Sequence, residues 1–154
     1  TRVRSSAASD VYKRQHDDIA VLRVPGLREP ALPMAANPAP GTPAAILGYP
    51  LDGPFDAEPG RIGQTQVVST QDAYGNGPVL RSITPLRGLV RPGNSGGPLV
   101  DPAGQVVGTV FAAVTGGGPG GPGGFAVPNN LVQGHLAHAE TRPGPVSSGP
   151  CAAG

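Results

Sequence analysis

The chain has 154 residues, a formal net charge of +1, 25 Gly, 20 Pro, one Cys, no Trp and only 14% charged residues. That length suits one domain with a buried core; Gly and Pro at this level raise the question of disorder, but Val/Ile/Leu-rich runs spaced by turn residues have the pattern of an all-β barrel. Arg2, Arg4, Lys13 and Arg14 stand against Asp10 at the N-terminus and leave the remainder slightly acidic, which excludes a basic stripe for nucleic acid, and no apolar run reaches membrane-spanning length.

Residues 1–15 look foreign. Ser5 to Gln15 reads as the conceptual translation of a sequencing-library adaptor and holds the only lysine, so it is set aside from the fold, and the native sequence is expected to begin near His16. Residues 16–24 follow, with Asp17-Asp18 leading into a strand Ile19-Ala20-Val21-Leu22. Residues 25–42 are Pro- and Ala-rich without period, as in an extended connector.

From residue 43 to 140 the pattern predicts six strands and a helix. Ala44 to Gly48 is a strand stopped at Pro50, with Leu51 to Gly60 as a loop. Arg61 to Thr70 and Val79 to Thr84 continue as strands across the Asp72–Gly77 turn. A strand after Ser95, another over Val106–Val114 and a last one over Phe125–Val127 complete the six. The run from Gly116 to Gly124 is low-complexity and lacks the lysine, helix and spacing of a phosphate loop. Asn129 or Asn130 is placed to cap a helix from Leu131 to about Glu140, with Leu131, Val132 and Leu136 packing on the barrel. Residues 141–154 form a Pro/Gly/Ser tail expected to be disordered.

The stretch that carries chemistry is Gly93-Asn94-Ser95-Gly96-Gly97-Pro98-Leu99. A serine between glycines in a loop exposes its Oγ, and the N–H groups of Gly93 and Ser95 can turn towards one point, as an oxyanion hole requires. Pro98 to Val100, the turn Asp101-Pro102-Ala103-Gly104 and Gln105 to Phe111 read as strand, turn, strand, so the serine sits at the entrance to a hairpin.

This heptapeptide, its hairpin and the later Gly124-Phe125-Ala126-Val127-Pro128-Asn129-Asn130 resemble the nucleophile loop and final strand of chymotrypsin-fold serine proteases. Within them the chain is similar to the bacterial high-temperature-requirement (Deg) branch and to the actinobacterial periplasmic, membrane-anchored acid-resistance proteases. The resemblance implies a double β-barrel, of which this chain would hold the last strand of the first barrel and the whole six-stranded second barrel with a short C-terminal helix. It implies a serine endopeptidase with polypeptide substrates, no cofactor and no metal. It places the protein in the periplasm or on the extracytoplasmic face, with any membrane anchor in sequence upstream of this piece.

Residue by residue, the resemblance implies Ser95 as nucleophile and Asp18, ahead of Ile19-Ala20-Val21-Leu22, as the carboxylate that orients the histidine. Asp17 is the neighbouring candidate, but strand alternation would point it the other way. The family's histidine lies well upstream of its aspartate. His16 is too close to Asp18 to serve, and His135 and His138, three apart on one helix face, are expected to be solvated. The base is therefore expected to be missing and this piece to be inactive alone. The base of the primary pocket falls near Leu89 or Val90, which predicts a small or apolar residue before the cut, and Phe111, Ala112 and Ala113 are expected to pair with the substrate backbone. Asn94 stands where digestive proteases carry an aspartate that pairs with a newly cut N-terminus. In the resembling proteases a cysteine placed like Cys151 is bridged to one upstream of the catalytic domain.

Two other readings compete. Gly93-Asn94-Ser95-Gly96-Gly97 also fits the Gly-x-Ser-x-Gly elbow of α/β-hydrolases, with Asp101 and His135 following in order, but an elbow must lead into a helix. A catalytically inactive module that binds extended peptides along the same edge is the other.

Overall fold

The computed structural model describes residues 9–14, 17–71, 75, 77–114, 121–141 and 144–146, with the backbone path alone for 9–14. Among the described residues, nine strands and one α-helix follow in order: β1 (Ser9–Arg14), β2 (Ile19–Arg23), β3 (Pro43–Gly48), β4 (Asp56–Ile62), β5 (Gln66–Thr70), β6 (Val79–Arg87), β7 (Pro98–Val100), β8 (Val106–Ala113), β9 (Gly123–Val127) and α1 (Asn129–Thr141), with a short 3-10 turn at Pro50–Asp52. Every strand pairing is antiparallel. Six strands close a ring in the order β3, β7, β8, β9, β6, β4 and back to β3. Closure leaves those strands without a free sheet edge over their paired lengths.

Alternation builds the interior. Ala44 and Ile46 of β3, Leu86 of β6, Leu99 of β7 and Val110 of β8 turn inward and form one cluster with Ile62, Val90, Val107 and Ala126. Ile46, Leu99, Val107 and Val110 are fully buried, and each contributes about 1.5–3 kcal/mol by leaving water.

Several boundaries differ from expectation. The six-stranded barrel is present, but β4 begins at Asp56, inside the stretch expected to be loop. Pro59 lies within it opposite Ala45. The single strand expected over Arg61–Thr70 is broken at Gly63–Thr65 into β4 and β5, which follow one another along β6, Ile62 opposite Leu86 and Gln66 opposite Ile83. The last strand starts at Gly123, inside the glycine run. The helix begins at Asn129, and Leu136, expected against the barrel, is 40% exposed beside β2, where it lines a cavity with Val21, Leu22 and Ala139. Ser9–Arg14, set aside from the fold on sequence, pairs along β2; backbone pairing to a strand edge makes little demand on side chains. Residues 72–74, the run 115–120, His16 and the tail with Cys151 lie outside the described residues.

The connector over residues 25–42 is held to the barrel. Met34 bridges Val106, Ala35 N–H donates to Val106 O at 2.9 Å and Val106 N–H to Pro33 O at 2.8 Å. Asn129, expected as a helix cap, instead donates through Nδ2 to Ala35 O at 2.8 Å and Val106 O at 2.7 Å. It thereby locks connector, β8 and helix start together.

Candidate active site

The loop between β6 and β7 presents Ser95. Asn94, 1% exposed, organises it: its Oδ1 accepts the Arg91 N–H at 2.8 Å, its N–H donates to Arg91 O at 3.0 Å, and its carbonyl accepts the Gly97 N–H at 2.9 Å. Gly93 has φ 96°, and a Cβ there would lie 2.6 Å from Tyr49 O. Only glycine takes that angle without strain and leaves room for the neighbouring segment. Among the described residues, neither the Gly93 N–H nor the Ser95 N–H is spent on a hydrogen bond to the backbone. Ser95 is exposed, and its hydroxyl donates to Phe111 O at 3.5 Å, a contact too long to hold it firmly.

Beside the serine runs β8. Gly96 N–H donates to Val110 O at 2.7 Å and Val110 N–H to Gly97 O at 2.9 Å, the last backbone hydrogen bonds between β8 and the serine loop. The pairing with β9 shifts register between Val110 and Ala112, so Phe111 is the extra residue of a bulge. Such bulges re-aim a strand next to a site. Ala112 and Ala113 pair with β9 on one side; among the described residues no strand covers the other. Next to this segment Arg81, Ile83, Val68, Thr70, Phe111 and Phe125 line a cavity of about 380 Å³. The rings of Phe111 and Phe125 lie 6.4 Å apart, and the Arg81 guanidinium sits 5.6 Å over the Phe111 ring.

Asp17 and Asp18 both precede β2, in a turn, so the alternation expected of a strand does not govern them. Asp18 takes φ 56° and is exposed. Asp17 turns inward, and its Oδ2 lies 2.8 Å from His135 Nε2, with the two side chains 14% and 13% exposed. His135 is thus not solvated as expected, because α1 packs against β1 and β2 as well as β8. His138 is exposed. No described histidine hydrogen-bonds Ser95, whose one hydroxyl contact is to Phe111.

Of the residues expected at the primary pocket, Leu89 is 40% exposed while Val90 belongs to the core. Val90 closes over β9: a Cβ on Gly124 would fall 2.8 Å from Val90 Cγ2. The chain after Ser95 continues into the strand β7 and not a helix. Asp101 Oδ1 accepts the N–H groups of Ala103 and Gln105 at 2.9 and 2.8 Å, closing the β7–β8 turn. Both facts remove the α/β-hydrolase reading.

Sequence reasoning missed the ion pairs of Arg91 with Asp56 and Glu58 and the Asp17–His135 contact. The spacing of Asp56 and Glu58, on one face of a strand, was a local signal for the first; nothing local marks a pair 118 positions apart.

Comparison with known proteins agrees with this geometry. Residues 2–108 match the model of the trypsin-like peptidase domain. The chain is 41% identical over 136 residues to serine protease Rv3671c of Mycobacterium tuberculosis strain H37Rv and to serine protease MT3772 of strain CDC 1551, covering 87% of this chain and 33% of each relative; it thus spans about a third of their length. The crystal structure of the active form of the Rv3671c protease from M. tuberculosis overlays with a TM-score of 0.84 at 40% identity, over 94% of this chain and 63% of that one. Its inactive form gives 0.70 over 86% and 66%, and the HtrA-type protease AlgW with a decapeptide gives 0.68 at 25% identity, over 87% and 40%. The chain has a trypsin-like, all-β fold and belongs to the trypsin-like peptidase family of serine proteases.

Proposed function

We propose that this chain carries the nucleophile half of a serine endopeptidase acting on polypeptides. The observation that supports it most is the exposed Ser95 hydroxyl in a loop whose Gly93 and Ser95 amide N–H groups are not spent on the backbone. A substrate strand laid along the open side of Phe111–Ala113 would bring its carbonyl to Ser95. Ser95 Oγ attacks that carbon while its proton passes to a histidine; the carbonyl oxygen takes the negative charge and receives the two N–H groups. The histidine then returns the proton to the leaving amine, and water releases the acyl group by the same route. Asp18, exposed at the head of β2, holds that histidine, which a first barrel upstream of this chain supplies. The relatives, of which this chain covers a third, have room for one.

Val90 over Gly124 favours a small residue before the cut, Leu89 flanking it. The resemblance to membrane-anchored periplasmic proteases supports an extracytoplasmic location, a membrane attachment upstream and a disulfide from Cys151 to an upstream cysteine. Peptide cleavage by the domain completed with its upstream sequence tests the reading: Ser95→Ala and Asp18→Asn must each lower kcat by at least about a thousandfold. Cleavage that survives both substitutions refutes it.

A further inference from the structure

The loop that carries Ser95 is held by an ionic clamp on the face of β4 that also carries the buried Ile62, at the strand end where that face opens to solvent. Asp56 and Glu58 lie two apart on β4 and so share a face, opposite Gly48 and Ile46 of β3. Arg91 reaches both, Nη1 to Asp56 Oδ2 at 3.0 Å and Nη2 to Glu58 Oε1 at 2.7 Å. Two carboxylates on one guanidinium hold it in direction as well as in place, which a lone point charge cannot do.

Arg91 is also one end of the turn that orients the two amides. Its N–H and its carbonyl are both bound to Asn94, the first to Oδ1 at 2.8 Å and the second to the amide N–H at 3.0 Å. Between them lie Pro92 and Gly93, and the next residue is Ser95. A shift of Arg91 therefore moves Asn94, and with it the peptide planes whose N–H groups belong to Gly93 and Ser95. Pro92 O is tied to Leu51 N–H at 2.8 Å and Asn94 O to Gly97 N–H at 2.9 Å, so the turn keeps two further tethers and can loosen without unfolding. The side chain before the serine is the neutral Asn94, which cannot anchor an ion pair; the charge nearest in sequence that can is Arg91.

We infer that Arg91, clamped by Asp56 and Glu58, is a positioning residue that sets the convergence of the Gly93 and Ser95 amides. This rests on the reading of Ser95 as nucleophile, but the clamp itself has a readout apart from activity. The clamp is partly exposed, Arg91 at 33% and the carboxylates at 37% and 24%, so it steers a loop and contributes little to global stability.

The test uses the domain completed with its upstream sequence, in wild-type form and as Arg91→Ala, Arg91→Lys and the double variant Asp56→Asn/Glu58→Gln. Fluorophosphonate labelling of Ser95 and peptide cleavage report the nucleophile; amide hydrogen exchange over residues 88–97 reports the loop. Losing one oxyanion donor outright costs about a hundredfold or more, and a misaimed pair is expected to cost about tenfold in labelling rate and kcat, with KM within about twofold. Arg91→Ala and the double variant should match, Arg91→Lys should recover part of the loss, and exchange should quicken over 88–97 and stay unchanged over 98–113. Wild-type protein that is not labelled refutes the nucleophile reading while the exchange data still decide the clamp. Unchanged exchange in Arg91→Ala overturns the clamp, as does faster exchange throughout the barrel, or a double variant that behaves as wild type.

Discussion

His135 Nε2 on the C-terminal helix lies 2.8 Å from Asp17 Oδ2, the residue immediately before Asp18. The helix at the far end of the chain thus holds the turn from which Asp18 projects. A hydrogen bond to a charged partner in so protected a place is worth about 1.5–3 kcal/mol. His135→Ala is expected to lower the denaturant midpoint by an amount near the low end of that range at unchanged m-value, and kcat of the completed domain should fall several-fold as Asp18 loosens. An unaltered midpoint would show that the contact carries no weight.

Gly93→Ala is the severest single change expected in the serine loop. The new methyl would meet Tyr49 O at 2.6 Å, at a backbone angle, φ 96°, that L-residues resist. The peptide must turn, and one oxyanion donor leaves the site, for a loss of about a hundred- to a thousandfold in kcat. Rates within threefold of wild type would mean that the Gly93 amide is not used.

Along β8, Val114 N–H donates to Gly123 O across the β9 side. Successive amides of a strand alternate between its edges, so the Ala113 N–H is directed to the open side, along which the proposed function lays the substrate backbone. Ala113→Pro removes that donor. KM should rise about tenfold while kcat changes less, as measured in steady-state cleavage of an extended peptide; an unchanged KM places the substrate elsewhere.

Val90 packs on Gly124, and on the proposed reading shortening it opens space beneath the residue before the cut. Val90→Ala is expected to raise kcat/KM for a leucine there relative to alanine by about tenfold, the effect of a few methylene groups in an apolar pocket. Cleavage profiling of a peptide library checks this, and an unaltered preference would remove Val90 from the specificity wall.

The barrel and its serine loop were legible because local patterns encode them. Gly93 to Leu99 and the turn at Asp101 to Gly104 are short-range signals, and the alternation at Ala44, Ile46 and the runs around Val107 and Val110 mark inward faces. Pro59 and Gly60 hid the start of β4, because their cost is offset by pairing with β3 that a local reading does not see. Gly123 and Gly124 were absorbed into a glycine run for a similar reason: Gly124 is required where Val90 crosses the strand, and a Cβ on Gly123 would meet Leu86 O on β6. The roles of Asp17, His135 and Asn129 were hidden because each depends on partners brought together by the fold, Asp17 and His135 from opposite ends of the chain. Helical spacing could say that His135 and His138 share a face, but not that β2 would lie against it.

On the proposed function, Ser95 is an activated nucleophile once its histidine is present. The most direct measurement is mass-spectrometric mapping of a fluorophosphonate adduct on two proteins, this chain and the same chain extended through its upstream first barrel. An adduct is expected on Ser95 in the extended protein, none in its Ser95→Ala variant, and no labelling of residues 1–154 alone. A folded extended protein that leaves Ser95 unmodified, or an adduct that persists after Ser95→Ala, would contradict it.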